Sequence, residues 1–309
     1  MLKKTLLTER FDYIILLLVS FFINYYYSNV GVFPQDTFAY FDTGYRVLNG
    51  SVPFKDYWTV SGPFIDYFQA FLFYIFGISW KTYIINGSII NSIITLILYR
   101  ALKIYNQERL LNIFYCVCFS ILANPSMGVA FPDHYSAFFS LMAILFFLIA
   151  IKKNEKIFWL LIPIFYFIAF FSKQSPASYL LLPVLISSLL YIYYYKKLDF
   201  IKYFFISSFF CIILLFLFFY FNKIDFNQFL NQYIFFPQTI AKYRLKNYQF
   251  DINNLFFQFK WIYVFLIPLI VVFIIQIFKN KIVKQKKIFI INIKVIVASI
   301  VLIFHQVLT

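Results

Sequence analysis

The sequence predicts an all-α fold: a polytopic transmembrane helical bundle of about nine spans, whose first outer loop contains short interfacial helices. Three observations carry this. The 309 residues are 63% hydrophobic and only 13% charged, with a mean hydropathy of +0.80. A soluble domain runs nearer half apolar and a quarter charged, and cannot bury this much apolar surface. Apolar runs long enough to cross roughly 30 Å of hydrocarbon recur along the chain. Between them, Lys and Arg gather in short clusters, the pattern that sets membrane orientation.

The elements follow in order. Residues 1–10 are basic, and 11–28 form the first span. Its end, Asn24-Tyr25-Tyr26-Tyr27, offers no small-residue site for signal cleavage. Residues 29–61 are polar and aromatic. Within them Phe38, Phe41, Tyr45 and Leu48 recur at helical steps, which predicts an amphipathic interfacial helix from Asp36 to Asn49, stopped by Gly50. Residues 62–77 are apolar but short and carry Asp66 and Gln69, so they are expected in the interface. The remaining spans are expected at 81–102, 110–123, 135–151, 157–171, 177–195, 203–221, 259–278 and 288–308. No internal repeat is evident.

Charge counting supports this arrangement. With the N-terminus inside, the inner pieces 1–12, 100–109, 152–156, 196–202 and 279–287 hold 17 Lys and Arg, against 9 in the outer pieces. If 62–77 spanned, the basic clusters would fall outside, against the positive-inside rule. The expected location is therefore a cell inner (plasma) membrane, with the N-terminus cytoplasmic and the polar site on the outer, periplasmic face. The net charge of +15 lies in these clusters rather than on one soluble surface, so no nucleic-acid partner is expected. Cys116, Cys118 and Cys211 fall inside apolar runs and read as small buried hydrophobes.

The unusual polar residues converge on the outer side. Asp36 is either a general base or a helix cap. Asp42 either orients an acceptor or binds a cation, or is a solvated helix residue. Asp56, beside Tyr57 and Trp58, either meets a sugar or belongs to an aromatic membrane belt. Lys173 and Gln174 lie at a span end, where a lysine holds an anionic lipid phosphate or snorkels to water. Asp133-His134 and His305-Gln306 carry the chain's two histidines. Lys242, Arg244 and Lys246 form a phosphate patch or a solvated basic face. No metal-ligand spacing, P-loop or dinucleotide fingerprint occurs, so no cofactor or metal is assigned, and a divalent cation stays open.

The order of a basic N-terminus, one span, and an outer loop with Asp36, Tyr40, Gly50 and Pro53-Phe54-Lys55-Asp56-Tyr57 forms a recognisable sequence. Gly62-Pro63, an apolar stretch ending Phe76-Gly77 and a span ending Tyr99-Arg100 continue it. Over residues 10–105 this resembles the membrane GT-C glycosyltransferase superfamily, and within it the RgtA/B/C/D-like and protein O-mannosyltransferase-like members. The resemblance implies one GT-C-like domain over 1–309, lacking its C-terminal part. It implies a glycosyltransferase that moves a sugar from a polyprenyl-phosphate carrier to a glycan, lipid or protein acceptor of the cell envelope. Asp36 would be the catalytic base and Asp42 a second catalytic carboxylate, although Thr37 stands where many relatives have Glu. Lys173, Gln174, His134, Arg244, Tyr40, Asp56 and His305 would bind substrate. The alternatives are a transporter or flippase of lipid-linked sugars, and a non-catalytic membrane assembly partner.

Overall fold

The computed structural model describes residues 2–30, 34–105, 108–123, 128–196, 198–246, 252–278 and 286–308. Side chains at 2–8, 34–37, 199, 245, 252–255, 265, 276, 286–287 and 302–308 lie outside that description. The described residues are all-α. The helices are α1 (Leu2–Val30), α2 (Pro34–Leu48), α3 (Phe64–Phe76), α4 (Trp80–Ile104), α5 (Arg109–Leu122), α6 (Pro132–Lys153) and α7 (Lys156–Phe170). They continue with α8 (Gln174–Tyr195), α9 (Asp199–Asn222), α10 (Phe226–Phe229), a π-turn (Leu230–Phe235), α11 (Phe236–Lys246), α12 (Ile252–Phe278) and α13 (Lys286–Leu308).

Among the described residues, five segments are long and apolar enough to cross a membrane: Glu9–Val30, Trp80–Ile104, Pro132–Lys153, Gln174–Tyr195 and Phe200–Asn222. A sixth is counted if Phe256–Val264 and Leu266–Ile275, bent by 49°, form one span. The protein is thus a polytopic helical membrane protein, but helix length does not give nine full spans. The helices α3, α5 and α7, and the apolar stretch Ile288–Val301, are too short. At 1.5 Å per residue, the 14 residues of α5 rise only about 21 Å.

The structure explains how a short α5 is accommodated. Its first residue, Arg109, donates to Asp12 on α1 at one end of the bundle. Near its last turn the Ser120 carbonyl accepts from Asn91 Nδ2, midway along α4. Non-helical chain at Gly128–Phe131 then continues toward the other end. Buried backbone of this kind needs partners, because hydrocarbon supplies none. The Gly128 carbonyl accepts from Asn24 Nδ2 (2.7 Å) and Ser28 Oγ (2.5 Å), and the Ala130 carbonyl accepts from Tyr83 OH (3.0 Å). Gly87 packs against the Gly128 carbonyl, where a Cβ would overlap it. Small and polar residues thus hold α1, α4 and this segment together.

The two ends differ. At one end, Glu9 pairs with Lys103, Asp12 with Arg109, Arg100 lies over the Phe158 ring and Lys152 over the Tyr105 ring. This is the basic end. At the opposite end, α2, α3 and the 49–63 segment fold over the starts of α6 and α8. The main core joins them, with Ile84, Tyr135, Met142, Phe147, Trp159 and Ile162 fully or almost fully buried.

Candidate functional site

The loop end is built on α2 and α3. The helix α2 runs Pro34–Leu48, close to the expected span, and Gly50 follows with φ +90°. The helix α3 is 13 residues long, in keeping with a segment too short to span. Gly44 lets the two pack, since a Cβ there would press on Gln69. One carboxylate ties them: Asp66 Oδ1 accepts from Thr43 Oγ1 (2.6 Å) and Oδ2 from Tyr57 OH (2.7 Å). Asp66 is 2% exposed. Burial pushes its carboxyl up to about 6, while the two hydrogen bonds pull it down. Burial and the neighbouring Asp66 hold the Tyr57 phenol well above its ordinary value. Deeper in, Gln69 Oε1 accepts from Asn86 Nδ2 (2.7 Å), and Asn86 Oδ1 accepts from Tyr135 OH (2.5 Å). Sequence reasoning did not select Asp66. The available signal was a carboxylate inside an apolar run, which has to find donors.

The 49–63 segment is anchored at both ends. Phe54 adopts φ +68° and is buried edge-on against Phe229 (5.2 Å between ring centroids). Its carbonyl accepts from Gln232 Nε2 (2.8 Å), and Gln232 Oε1 accepts from Thr59 N (3.1 Å). Further on, Gly62 N donates to the Ser172 carbonyl and Phe64 N to the Phe171 carbonyl. Gly62 is required there, because a Cβ would overlap the Phe171 carbonyl. Residues 222–258, expected as a long outer loop, instead contain α10, the π-turn and α11, and Gln232 on the π-turn grips the first loop.

The starts of α6 and α8 meet beneath this cover. Lys173 Nζ donates to Asp133 Oδ2 at 2.6 Å, both side chains about one-third exposed. Ser136 Oγ donates to the Lys173 carbonyl (2.7 Å) and accepts from Ala177 N (3.1 Å), which locks the two helix starts together. Pro132 opens α6, where a missing N–H costs nothing. His134 lies between Phe131 and Phe138, with its Nδ1 buried and unpartnered. Gln174 Nε2 donates to the Tyr233 carbonyl (3.2 Å), while its Oε1 is buried without a partner. Two helix N-termini meet here, with an ammonium already paired to the Asp133 carboxylate; beside them the imidazole faces Phe131 and Phe138 and the amide faces Tyr233. That combination suits the oxygens of an anion.

The residues selected from sequence separate into three groups. Lys173, Gln174 and His134 stand at the joined starts of α6 and α8, each side chain on a different partner. Tyr40 and Asp56 belong to the cover: Tyr40 OH lies 3.0 Å from Ser61 Oγ, and Asp56 Oδ2 accepts from Val52 N (2.7 Å). Asp56 thus closes its own turn through one oxygen while the residue stays exposed. Asp42 likewise forms an exposed pair with Arg46 Nε (2.6 Å), four residues on, which is an ordinary surface arrangement. Asp36 sits in the first turn of α2, two residues inside its start and so not at its cap. The side chains of Asp36 and His305 lie outside the described residues. Arg244 is exposed in the last turn of α11. Among the described residues no three His, Cys, Asp or Glu side chains cluster as a metal centre would require. No protein-family model matches the chain, and neither curated proteins nor solved structures yield a match.

Proposed function

We propose that the protein is an integral-membrane glycosyltransferase that uses a polyprenyl-phosphate-linked sugar and works at the loop end of the bundle. The observation that supports this most is the junction of the α6 and α8 starts. Lys173 and His134 stand at these joined starts with Gln174 beside them, and α2, which carries Asp36, belongs to the cover at the same end. In this reading the phosphate of the donor lies against Lys173, displacing the Asp133 carboxylate from it. Asp36 takes the proton of the acceptor hydroxyl, and the hydroxyl oxygen attacks the anomeric carbon with inversion. The bond from that carbon to the phosphate oxygen breaks, and the electron pair leaves with the lipid phosphate. Lys173 and the two helix N-termini stabilise the charge that develops on the leaving group. Arg244 and His305 are secondary candidates for the same phosphate, and Tyr40 and Asp56 shape the cover.

The same reading has nine crossings, in which the short α5 and α7 still link the two ends. The basic end is cytoplasmic, and the loop end faces the periplasm across the inner membrane. A flippase of lipid-linked sugars is the second reading. The bend in α12 favours it, since broken helices line transport paths. Against it, the buried polar seam of Asn24, Ser28, Ser88 and Asn91 bonds to other helices and to backbone.

The test is sugar transfer by the purified full chain in lipid nanodiscs, using labelled polyprenyl-phosphate sugars and an extract of envelope acceptors. Asp36→Asn is expected to lower the rate by about 1,000-fold, within the range for loss of a general base. Transfer at the parental rate by that variant overturns the role of Asp36. Movement of the labelled lipid between leaflets without any transfer supports the flippase instead.

A further inference from the structure

A separate cavity of about 530 Å³ lies at the basic end, far from the loop end, where the turn between α6 and α7 meets the turn between α8 and α9. Its floor is aromatic. Trp159 stacks on Phe200 with 4.3 Å between centroids, and Tyr191 closes on both. Its rim is cationic. Lys156 and Lys202 both line it, and Lys156 Nζ lies 5.4 Å from the centroid of the Tyr203 ring. Asn154, in the left-handed conformation with φ +58°, turns the chain sharply there. The two turns and their flanks carry Lys152, Lys153, Lys196 and Lys197 besides the two lining lysines, against Glu155 and Asp199, so the sequence around the cavity is net positive.

Its position fixes its depth. The candidate span on α6 ends at Lys153, one residue before the cavity, and the candidate span on α9 begins at Phe200, which lines it. The cavity therefore lies where two spans leave the apolar layer. Apolar surface leads away from it: Leu198 on the rim is 61% exposed, and Phe205 and Ile206 further along α9 are also exposed. A ligand seated here meets two ammonium groups at its head and an apolar helix face along its tail.

We propose that this cavity binds an anionic phospholipid, with its phosphate between Lys156 and Lys202 and its acyl chains along the exposed face of α9. Basic pockets between helices at a membrane boundary favour such headgroups, and each lysine near the surface contributes about 1 kcal/mol. A soluble phosphate compound would use the lysines but leave the apolar path empty. A zwitterionic lipid would use the path, but its own cation would oppose the lysines. The proposal depends on the membrane reading of the spans and is independent of any transfer reaction.

The test is native mass spectrometry of the delipidated full chain, titrated with phosphatidylglycerol or with phosphatidylcholine of the same acyl chains. The expected result is phosphatidylglycerol bound about 25-fold more tightly, roughly fivefold for each lysine. The double variant Lys156→Gln/Lys202→Gln should fall to the phosphatidylcholine level. The charge-matched variant Arg10→Gln/Lys103→Gln, at the same end but outside the cavity, should keep the preference. Equal binding of the two lipids overturns the proposal, as does an equal loss in both double variants. Displacement of the bound lipid by glycerol phosphate at comparable concentration overturns it too, since the acyl chains would then contribute nothing. If the first double variant does not fold, Lys202→Gln alone, expected to be about fivefold weaker, serves in its place.

Discussion

Two buried or nearly buried carboxylates stand at opposite ends of the bundle and are handled differently. At the basic end Asp12, 2% exposed, accepts from Arg109 Nε (2.8 Å) and Nη2 (2.6 Å) and from Tyr99 OH (2.7 Å). Its charge is matched by a guanidinium, and the cluster clamps the starts of α1 and α5 to the end of α4. At the loop end Asp66, just as buried, has only the neutral hydroxyls of Thr43 and Tyr57 as donors. Burial there shows as a raised carboxyl pKa. The basic end is a fastening made of matched charges. Buried polar atoms without a partner occur at the loop end, on Gln69 Nε2, His134 Nδ1 and Gln174 Oε1, and also in the middle of the bundle, on Asn24 Oδ1 and Asn91 Oδ1. Incomplete pairing is costly in a low-dielectric site and is tolerated where a ligand completes it.

The largest effect is expected at Gly62. Gly62→Val drives a side chain into the Phe171 carbonyl and should cost about 4 kcal/mol, by detaching the cover from α7. A protease cut appearing within 49–63, with the rest of the bundle intact, is the readout. Survival of the cover would mean that Gly62 and Phe171 are not in contact.

Next comes pH. The Asp66 carboxyl stands at about 6 in the folded protein, above its ordinary 3.8, so the protonated form is the one that folding favours. Its contribution is full below about pH 4 and is lost as pH rises through 6, on the order of 3 kcal/mol in all. Protection of the cover's amides, measured relative to their base-catalysed intrinsic exchange, should therefore be greatest in mild acid and fall toward pH 7.5. Asp66→Asn should flatten that profile, and an unchanged slope in the variant would assign the titration elsewhere.

At the basic end Asp12→Ala removes the acceptor for two charged hydrogen bonds and one from Tyr99. It should cost about 2 kcal/mol of thermal stability in detergent, since Arg109 is half exposed and can rehydrate. The smallest effect belongs to Asp42. Its pair with Arg46 is exposed on both sides, and Asp42→Ala should cost about 0.5 kcal/mol or less. A loss near 2 kcal/mol there would show that Asp42 does more than pair with Arg46.

The bundle was legible where apolar runs are long. The helices α1, α4, α6, α8 and α9 lie where hydropathy puts them, because each buries or exposes apolar side chains along its whole length. The shortness of α5 was legible in the 14-residue run 110–123, but how the bundle accommodates it was not. That depends on Asn24, Ser28 and Tyr83 receiving the carbonyls of Gly128 and Ala130, and these partners are distant in sequence. The site behaves in the same way. Lys173 was conspicuous as a cation at a span end, but its partner Asp133 is 40 residues away. Asp66 was visible as an anomaly, while its donors come from separate segments. Asp42 attracted notice as an acid in an acid-poor chain, yet Arg46 four residues on already gave the plainer explanation. Phe54 at φ +68° and the π-turn depend on packing that no local pattern encodes.

The central claim is that the two ends lie on opposite sides of a membrane, with the loop end outside. It is tested by labelling single cysteines with a membrane-impermeant maleimide, after Cys116, Cys118 and Cys211 have been replaced by alanine. Asn49→Cys reports on the loop end and Lys103→Cys on the basic end, both in intact cells that make the protein. Labelling of Asn49→Cys from outside, with Lys103→Cys reached only after the cells are opened, is the predicted result. Labelling of Lys103→Cys from outside, or of both positions from the same side, would contradict it.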